Sequence, residues 1–239
     1  LLVKDADGYQ NLIKLLTLAY LEGFYYKPRV DHELLSLHSK GLIALSGCLK
    51  GEIPQAILAG QEKEARRLVE KMAGLFKPGD FFLELQNFHS ENNRTVNQAL
   101  RGLGRELGLP LAATNDVHFL ERAHHEAHDV MICIGTAANL TDEQRLRYPE
   151  DLWFKDAREM ESLFPDAPEA LANTADIAKR CNYEMVFNKN KFPLYTPPGK
   201  LSREDYLRQL CREGLKKRYG IDMTAPDLGA AGHRLPRNA

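Results

Sequence analysis

The sequence predicts an α/β fold in which parallel strands alternate with helices. Short apolar runs alternate with longer stretches of helical spacing, which is the pattern expected of repeated β-helix-β units. Gly108 and Pro110 lie where one helix should stop and the following strand should begin. The strongest strand candidates are residues 42–46, 81–86 and 111–114.

Helices are predicted before, between and after these strands. Helical spacing occurs in the following stretches: residues 8–22, 31–39, 53–76, 91–107, 122–134, 157–163 and 168–181. A break is expected near Gly60 in the third stretch, and Pro165 separates the last two. Because the helices that follow the last strand have no strand partners, we expect them to form an appended helical layer.

The composition is that of an ordinary globular protein without a membrane segment. Of 239 residues, 44% are hydrophobic and 27% are charged. The longest apolar runs are far shorter than the roughly 20 residues that a spanning helix requires. Four widely spaced cysteines, without a CxxC pair or a visible secretory signal, favour reduced thiols in the cytoplasm. The formal net charge of -1 gives no overall attraction for nucleic acid, so such binding would be local or lie outside this chain.

A proline- and lysine-rich segment predicts a domain boundary. NKNKFPLYTPPGK, residues 188–200, contains three prolines, three lysines and a glycine. It is expected to link a domain of residues 1–187 to an amphipathic helix of residues 201–220 with Ser202 as N-cap. That helix carries a basic excess, which a solvated face explains best. Residues 221–239 lose all periodicity and are expected to form a divergent tail.

A histidine-rich stretch follows the last predicted strand. ATNDVHFLERAHHEAHDV, residues 113–130, holds four of the eight histidines. Asp116 and His118 are two residues apart, so in extended backbone their side chains would point to the same side of the strand end. Chemistry in α/β barrels takes place at this end, and a carboxylate with an imidazole suits Zn²⁺, Mn²⁺ or Fe²⁺. The alternative is a helix cap together with a hydrogen-bonded histidine.

The remaining histidines of this stretch do not form a zinc-protease motif. His124 and His128 are four residues apart, but that motif needs a glutamate directly after the first histidine. His125 occupies this position, and Glu126 comes one residue too late. We therefore expect His124 and His125 to lie at the surface. His128 and Asp129 are predicted to support the structure by anchoring their helix through hydrogen bonds.

The other two predicted strands also end in polar residues. Cys48 follows LIALSG, where Gly47 permits a tight turn, and its thiolate could be a soft metal ligand or a small buried residue. Glu84 and Gln86 share one face of their strand and, with His89, are expected to line a polar cleft. Three consecutive strands thus bring ligand-type side chains to one edge of the sheet, which strengthens the metal hypothesis.

Three blocks of sequence carry a resemblance to a known family. With GLIALSGCLKGEIP, FFLELQNFH and AATNDVHFL in that order, the chain resembles the PHP (polymerase and histidinol phosphatase) domain of bacterial replicative, C-family DNA polymerases. The likeness covers about residues 1–220. It implies the C-terminal portion of a distorted seven-stranded (β/α) barrel, then a helical layer and the start of the polymerase palm region.

The resemblance also implies roles for particular residues. Cys48, Asp116 and His118 match family positions that bind divalent metal, Zn²⁺ or Mn²⁺, in a cleft at the strand ends. Glu84, Gln86 and His89 match a block that lines the cleft without being assigned as ligands. The family's opening His-x-His and several further ligands precede the first residue of this sequence, and the polymerase's catalytic aspartates follow the last. The chain is therefore expected to be a middle part of a larger subunit and inactive alone.

Two classes of function follow from the resemblance. In the first, the parent protein is a DNA polymerase that uses Mg²⁺ to extend primers with dNTPs, and its PHP domain is a 3'-5' exonuclease or a structural platform. Its implied partners are primer-template DNA, a sliding clamp, a proofreading exonuclease subunit and a clamp-loader subunit. In the second, the chain is a free-standing phosphoesterase of the histidinol-phosphatase type. The helical layer and the FPLYTPPG linker argue against the second class, and equally against a family X polymerase.

Overall fold

Four strands form one sheet within residues 1–87, 90–189 and 192–222, the part of the chain that the computed structural model describes. The strands lie in sequence order: β1 (Leu2–Val3), β2 (Leu42–Leu45), β3 (Phe81–Gln86) and β4 (Leu111–Thr114). β1 pairs with β2 in antiparallel orientation, whereas β2–β3 and β3–β4 are parallel pairs. The predicted α/β class and its parallel strands are confirmed.

The helices follow the predicted stretches closely. In chain order they are α1 (Ala6–Leu21), α2 (His32–Leu37), α3 (Glu52–Leu58), α4 (Glu62–Leu75), α5 (Glu91–Leu107), α6 (His125–Thr136), α7 (Ala157–Leu163), α8 (Pro168–Arg180) and α9 (Arg203–Tyr219). The break expected near Gly60 separates α3 from α4, because this residue has a left-handed φ of 69°. A short 3₁₀ turn, Arg122–His124, precedes α6.

Helices cover both faces of the sheet. Alternate residues of β3 point to opposite sides, so Leu83 packs with Leu100 of α5 in a large apolar cluster. Phe82 faces the other way and packs with Ile177 of α8 in a smaller cluster. The Asn173 amide of α8 also donates to the Leu111 carbonyl at 2.8 Å. The helical layer is therefore partly built onto the sheet itself.

The amino end of the sheet is held by a buried carboxylate. Asp80 precedes β3, and its side chain is only 4% exposed. It pairs with Lys4 at 2.5 Å and with the Arg180 guanidinium at the end of α8. Arg180 also donates to the Gly79 carbonyl at 2.9 Å, and the Asn182 N–H donates to the Lys4 carbonyl at 2.8 Å. Asp80 therefore ties β1, β3 and α8 together.

The chain divides into two compact units, residues 1–184 and 185–239. In the second unit α9 begins at Ser202, whose hydroxyl accepts from the Asp205 N–H at 3.1 Å, and ends at Gly220 with a left-handed φ of 69°. Most of the predicted tail lies outside the described residues, and the predicted domain limits stay a prediction. Within the described ranges, no helix is both long and apolar enough to cross a membrane.

Candidate functional site at the strand ends

Glu84 lies in the middle of the edge formed by the carboxyl ends of β2, β3 and β4. Its Oε2 accepts a hydrogen bond from the Gly47 N–H at 3.1 Å. Its Oε1 accepts from the Thr114 hydroxyl at 2.6 Å and from the Gln86 amide at 3.2 Å. The Glu84 N–H donates in turn to the Ser46 hydroxyl at 2.8 Å. Glu84 thus joins the ends of all three strands. We call these ends, with Ser46, Gly47, Glu84, Gln86 and Thr114, the carboxyl rim.

Gln86 is a buried member of the carboxyl rim. Its backbone N–H donates to Asn97 Oδ1 at 3.3 Å, and its carbonyl accepts from the amides of Asn93 and Asn97 at 3.3 and 2.8 Å. These bonds fix the end of β3 to α5. Its side-chain Oε1 is buried without a hydrogen-bond partner among the described residues. His89, the third predicted cleft residue, lies outside the described part of the chain.

Cys48 is exposed in a tight turn directly after β2. Gly47 before it has a φ of 85°, a conformation that favours glycine, and the Gly51 N–H donates to the Cys48 carbonyl at 2.8 Å. Of the two roles predicted for Cys48, metal ligand or small buried residue, the second is therefore wrong. It lies one residue from the backbone N–H that Glu84 binds.

Asp116 and His118 lie in a turn just beyond β4. The extended backbone expected at this position is not found, because Asp116 has a left-handed φ of 41° and ends the strand alternation. His118 Nδ1 donates to the Asp116 carbonyl at 2.7 Å. This bond places the ring proton on Nδ1 and leaves Nε2 as the acceptor in the neutral ring, the form that a metal ligand requires.

The three predicted ligands are not gathered into a metal centre. Within residues 1–87, 90–189 and 192–222, no three side chains of His, Cys, Asp or Glu are grouped so that they could hold a metal ion. The chemistry of Cys48, Asp116 and His118 suits Zn²⁺ or Mn²⁺, but this arrangement does not fit a complete site. Both oxygens of Glu84 already accept hydrogen bonds. The ligand assignments therefore stay a prediction.

His118 belongs instead to a cluster of rings beside the rim. Its ring centroid lies 4.5 Å from that of Tyr148 and 5.8 Å from that of His128. Burial lowers the pKa of His128, and the neighbouring His118 and His125 lower it further. His128 Nδ1 has no hydrogen-bond partner within the described ranges, so the structure places this side chain by ring packing rather than by a bond from that atom.

Asp129 is held by a bidentate ion pair. The two nitrogens of Arg145 lie 2.5 and 2.6 Å from its carboxylate oxygens, and the Arg145 side chain is only 6% exposed. Hydrogen bonding from Arg145 lowers the pKa of Asp129. The pair ties α6 to the following loop, as does His125 Nε2, which donates to the Tyr148 carbonyl at 3.2 Å. His124 is exposed as expected, whereas His125 is half-buried.

Sequence reasoning missed the hydroxyls that complete the rim. Ser46 and Thr114 are each the last residue of a predicted strand. This position was the only signal in the sequence that they belong to the site. Neither residue type indicates a site on its own. Their partner, Glu84, lies 38 residues from Ser46 and 30 residues from Thr114 along the chain.

Three parallel strands with polar side chains at their carboxyl rim make this an α/β domain whose candidate site lies at the strand ends. Residues 1–88 match the family model of the PHP domain. Over 222 residues, 92% of its length, the chain is 41% identical to DNA polymerase III subunit alpha from Treponema pallidum. It is 42% identical over 222 residues to the Borreliella burgdorferi subunit and 41% identical over 230 residues to the Thermus aquaticus subunit, again over 92% of the chain in each case.

These findings confirm the resemblance drawn from the sequence. The chain is related to the PHP region of DNA polymerase III alpha subunits and spans about a fifth of the length of these relatives, 19%, 19% and 18% respectively. The free-standing phosphoesterase is not favoured, because these relatives are polymerase subunits. A PHP segment with polymerase relatives also supports the use of divalent metal in general by proteins of this kind.

Proposed function

We propose that this chain is part of the alpha subunit of a bacterial DNA polymerase III. The whole protein would extend DNA primers with dNTPs on a DNA template. The observation that carries the proposal is the 41% identity to the Treponema pallidum subunit over 92% of the chain, well beyond the PHP match of residues 1–88. A small phosphatase would share the PHP segment but not this continuation.

The partners and metals of the whole protein belong to the same proposal. They are primer-template DNA, dNTPs, a sliding clamp, a proofreading exonuclease subunit and a clamp-loader subunit, with Mg²⁺ at the polymerase site and a cytoplasmic location. The domain limits proposed are residues 1–187 for the PHP domain, 188–200 for the linker, 201–220 for the helix that opens the palm region, and 221–239 for the tail.

Within that protein, we propose that this segment serves as a structural platform. The Glu84 carboxylate holds the strand ends together with the chain's own hydrogen bonds. A Zn²⁺ or Mn²⁺ site that supports 3'-5' exonuclease activity would need donors in addition to Cys48, Asp116 and His118. A platform needs only a rigid rim, which the described residues already supply.

A chimera tests the polymerase assignment. The matching stretch of the Treponema pallidum alpha subunit is replaced by this chain, and primer extension is measured on a DNA template. We expect a soluble chimera to extend primers at a rate comparable to the unmodified subunit, since the segment supplies the same platform. The matched control carries Glu84→Ala in the chimera and should extend more slowly after mild heating. A folded, monodisperse chimera without Glu84→Ala that fails to extend primers would contradict the assignment.

A further inference from the structure

A short segment that follows α6 in the chain runs beside the turn that carries Asp116 and His118. The His118 N–H donates to the Leu152 carbonyl at 2.9 Å, and the Phe154 N–H donates to the Phe119 carbonyl at 3.0 Å. Phe119 and Trp153 form a parallel bridge. Residues 151–155, which we call the clasp, therefore extend the parallel pairing of the sheet beyond the end of β4.

Side chains reinforce this backbone pairing on the other side of Asp116. The Asn115 amide donates to the Trp153 carbonyl at 2.5 Å, and its Oδ1 accepts from Lys155 Nζ at 3.2 Å. Lys155 Nζ also donates to the Asp151 carbonyl. Lysine is almost never buried unless its ammonium is bound, yet Lys155 is only 8% exposed. Its burial thus depends on Asn115 and on the clasp backbone.

The indole of Trp153 forms one wall of the lysine site. Lys155 Nζ lies 3.6 Å from the ring centroid, and the Arg122 guanidinium carbon lies 5.4 Å from it. The indole N–H donates to Glu159 Oε1 at 3.3 Å, which fixes the ring relative to α7. Cation–π contacts of this kind strengthen when the cation is desolvated. Burial lowers the pKa of Lys155, and the charges of Asp151 and Glu159 oppose that shift.

The turn between Asn115 and His118 needs such support. Asp116 has a positive φ of 41° and is exposed, and a backbone of this kind persists only where the surrounding structure holds it. The clasp binds the chain on both sides of Asp116, through the side chain of Asn115 and the backbone of His118. Without these bonds the turn would be free to relax toward ordinary negative φ values.

We propose that Lys155, acting through Asn115 and Trp153, is a positioning residue that sets the conformation of the Asp116–His118 turn. The inference rests on the proposed function only in treating this turn as part of the PHP cleft. It assigns the geometry of the turn to a side chain far along the chain rather than to a bound metal. Lys155 touches neither Asp116 nor His118, so its effect is transmitted by the clasp.

Hydrogen exchange of the full 239-residue chain tests the proposal. In Lys155→Met the amides of His118, Phe119 and Phe154 should exchange about tenfold faster, as expected for the loss of roughly one hydrogen bond of support. The amide of Leu83, which is bonded to the Pro110 carbonyl within the sheet, should be unchanged. Lys155→Arg retains a cation and donors and should restore part of the protection. Lys63→Met, at an exposed position of α4, is the matched control and should change none of these rates.

Trp153 supplies a second readout, because it is the only tryptophan in the chain. The intensity or the wavelength of its fluorescence emission should change in Lys155→Met and stay unchanged in Lys63→Met. If Lys155→Met unfolds the whole chain, Asn115→Ala breaks the same connection without removing the buried charge and should give the same local exchange. Unchanged exchange at His118 and Phe119 in a folded Lys155→Met or Asn115→Ala variant would overturn the proposal. Failure of the polymerase chimera would leave these measurements unaffected, so the two proposals fail separately.

Discussion

Replacing Glu84 with alanine is expected to lower the free energy of unfolding of the chain by about 3 kcal/mol. The change leaves the Gly47 N–H and the Thr114 hydroxyl without their acceptor and removes one of the two acceptors of the Gln86 amide. Each buried polar group left unsatisfied costs about 1 to 3 kcal/mol, and the partial exposure of this site places the sum near the lower end. Urea unfolding measures the effect as a lower midpoint at constant slope.

Two variants control this measurement. Glu84→Gln retains one acceptor oxygen, so its free energy of unfolding should lie between those of the wild type and Glu84→Ala. Glu143→Ala removes an exposed carboxylate from a loop and should change the unfolding free energy by no more than about 0.5 kcal/mol. If Glu84→Ala proved as stable as Glu143→Ala, the carboxylate would not be what holds the three strand ends together.

Replacing Asp80 with alanine should have an effect of similar size at the opposite end of β3. The substitution removes a buried carboxylate that pairs with both Lys4 and Arg180. Breaking a buried ion pair by removing one partner commonly costs about 3 to 5 kcal/mol. Because Lys4 and Arg180 are partly exposed and can be rehydrated, we expect about 3 kcal/mol, measured by urea or thermal unfolding.

Asp166→Ala is the matched control for the Asp80 variant. Asp166 is 81% exposed and lies 3.8 Å from Arg101, and an exposed pair of this kind contributes about 0 to 1 kcal/mol. A loss of stability in Asp80→Ala no larger than that of Asp166→Ala would show that the contact between β1, β3 and α8 is not held by the buried charge.

Much of the fold could be predicted because its signals are local. The limits of α5 match the prediction, since the Ser90 hydroxyl accepts from the Asn93 N–H and Gly108 ends the helix with a left-handed φ of 64°. The strands β3 and β4 also match, because each is an apolar run bounded by turn residues. The predicted start of α1, residue 8, lies two residues too late, because Asp5 is the N-cap and its side chain accepts from the Gly8 N–H.

The candidate site could be predicted only in part, because its contacts depend on register and on distant segments. Parallel strands end at a common edge, so the meeting of the turn at Cys48 with Glu84 followed from the predicted topology. The left-handed φ of Asp116 did not, since aspartate also adopts ordinary conformations at strand ends. Nor did any pattern connect Lys155 to Asn115, forty residues earlier, because a lone lysine in a sequence is normally exposed.

Two carboxylates, the buried Asp80 just before β3 and the half-buried Glu84 within it, explain how this segment could act as a platform. Asp80 fixes the amino end of the sheet to α8, and Glu84 fixes its carboxyl rim. Both carboxylates make these contacts with residues of the first unit, 1–184. If further donors completed a metal centre here, it would lie at strand ends that hydrogen bonds to Glu84 already hold together.

The metal content of the purified chain is the measurement that tests this view most directly. After incubation with Zn²⁺ or Mn²⁺ and gel filtration, mass spectrometry of the metal should find a substoichiometric amount. Thermal unfolding should be the same with and without EDTA, because hydrogen bonds rather than a metal close the rim. Stoichiometric Zn²⁺ or Mn²⁺ that survives gel filtration, and is lost in Cys48→Ser or Asp116→Asn, would show that a metal holds these strand ends.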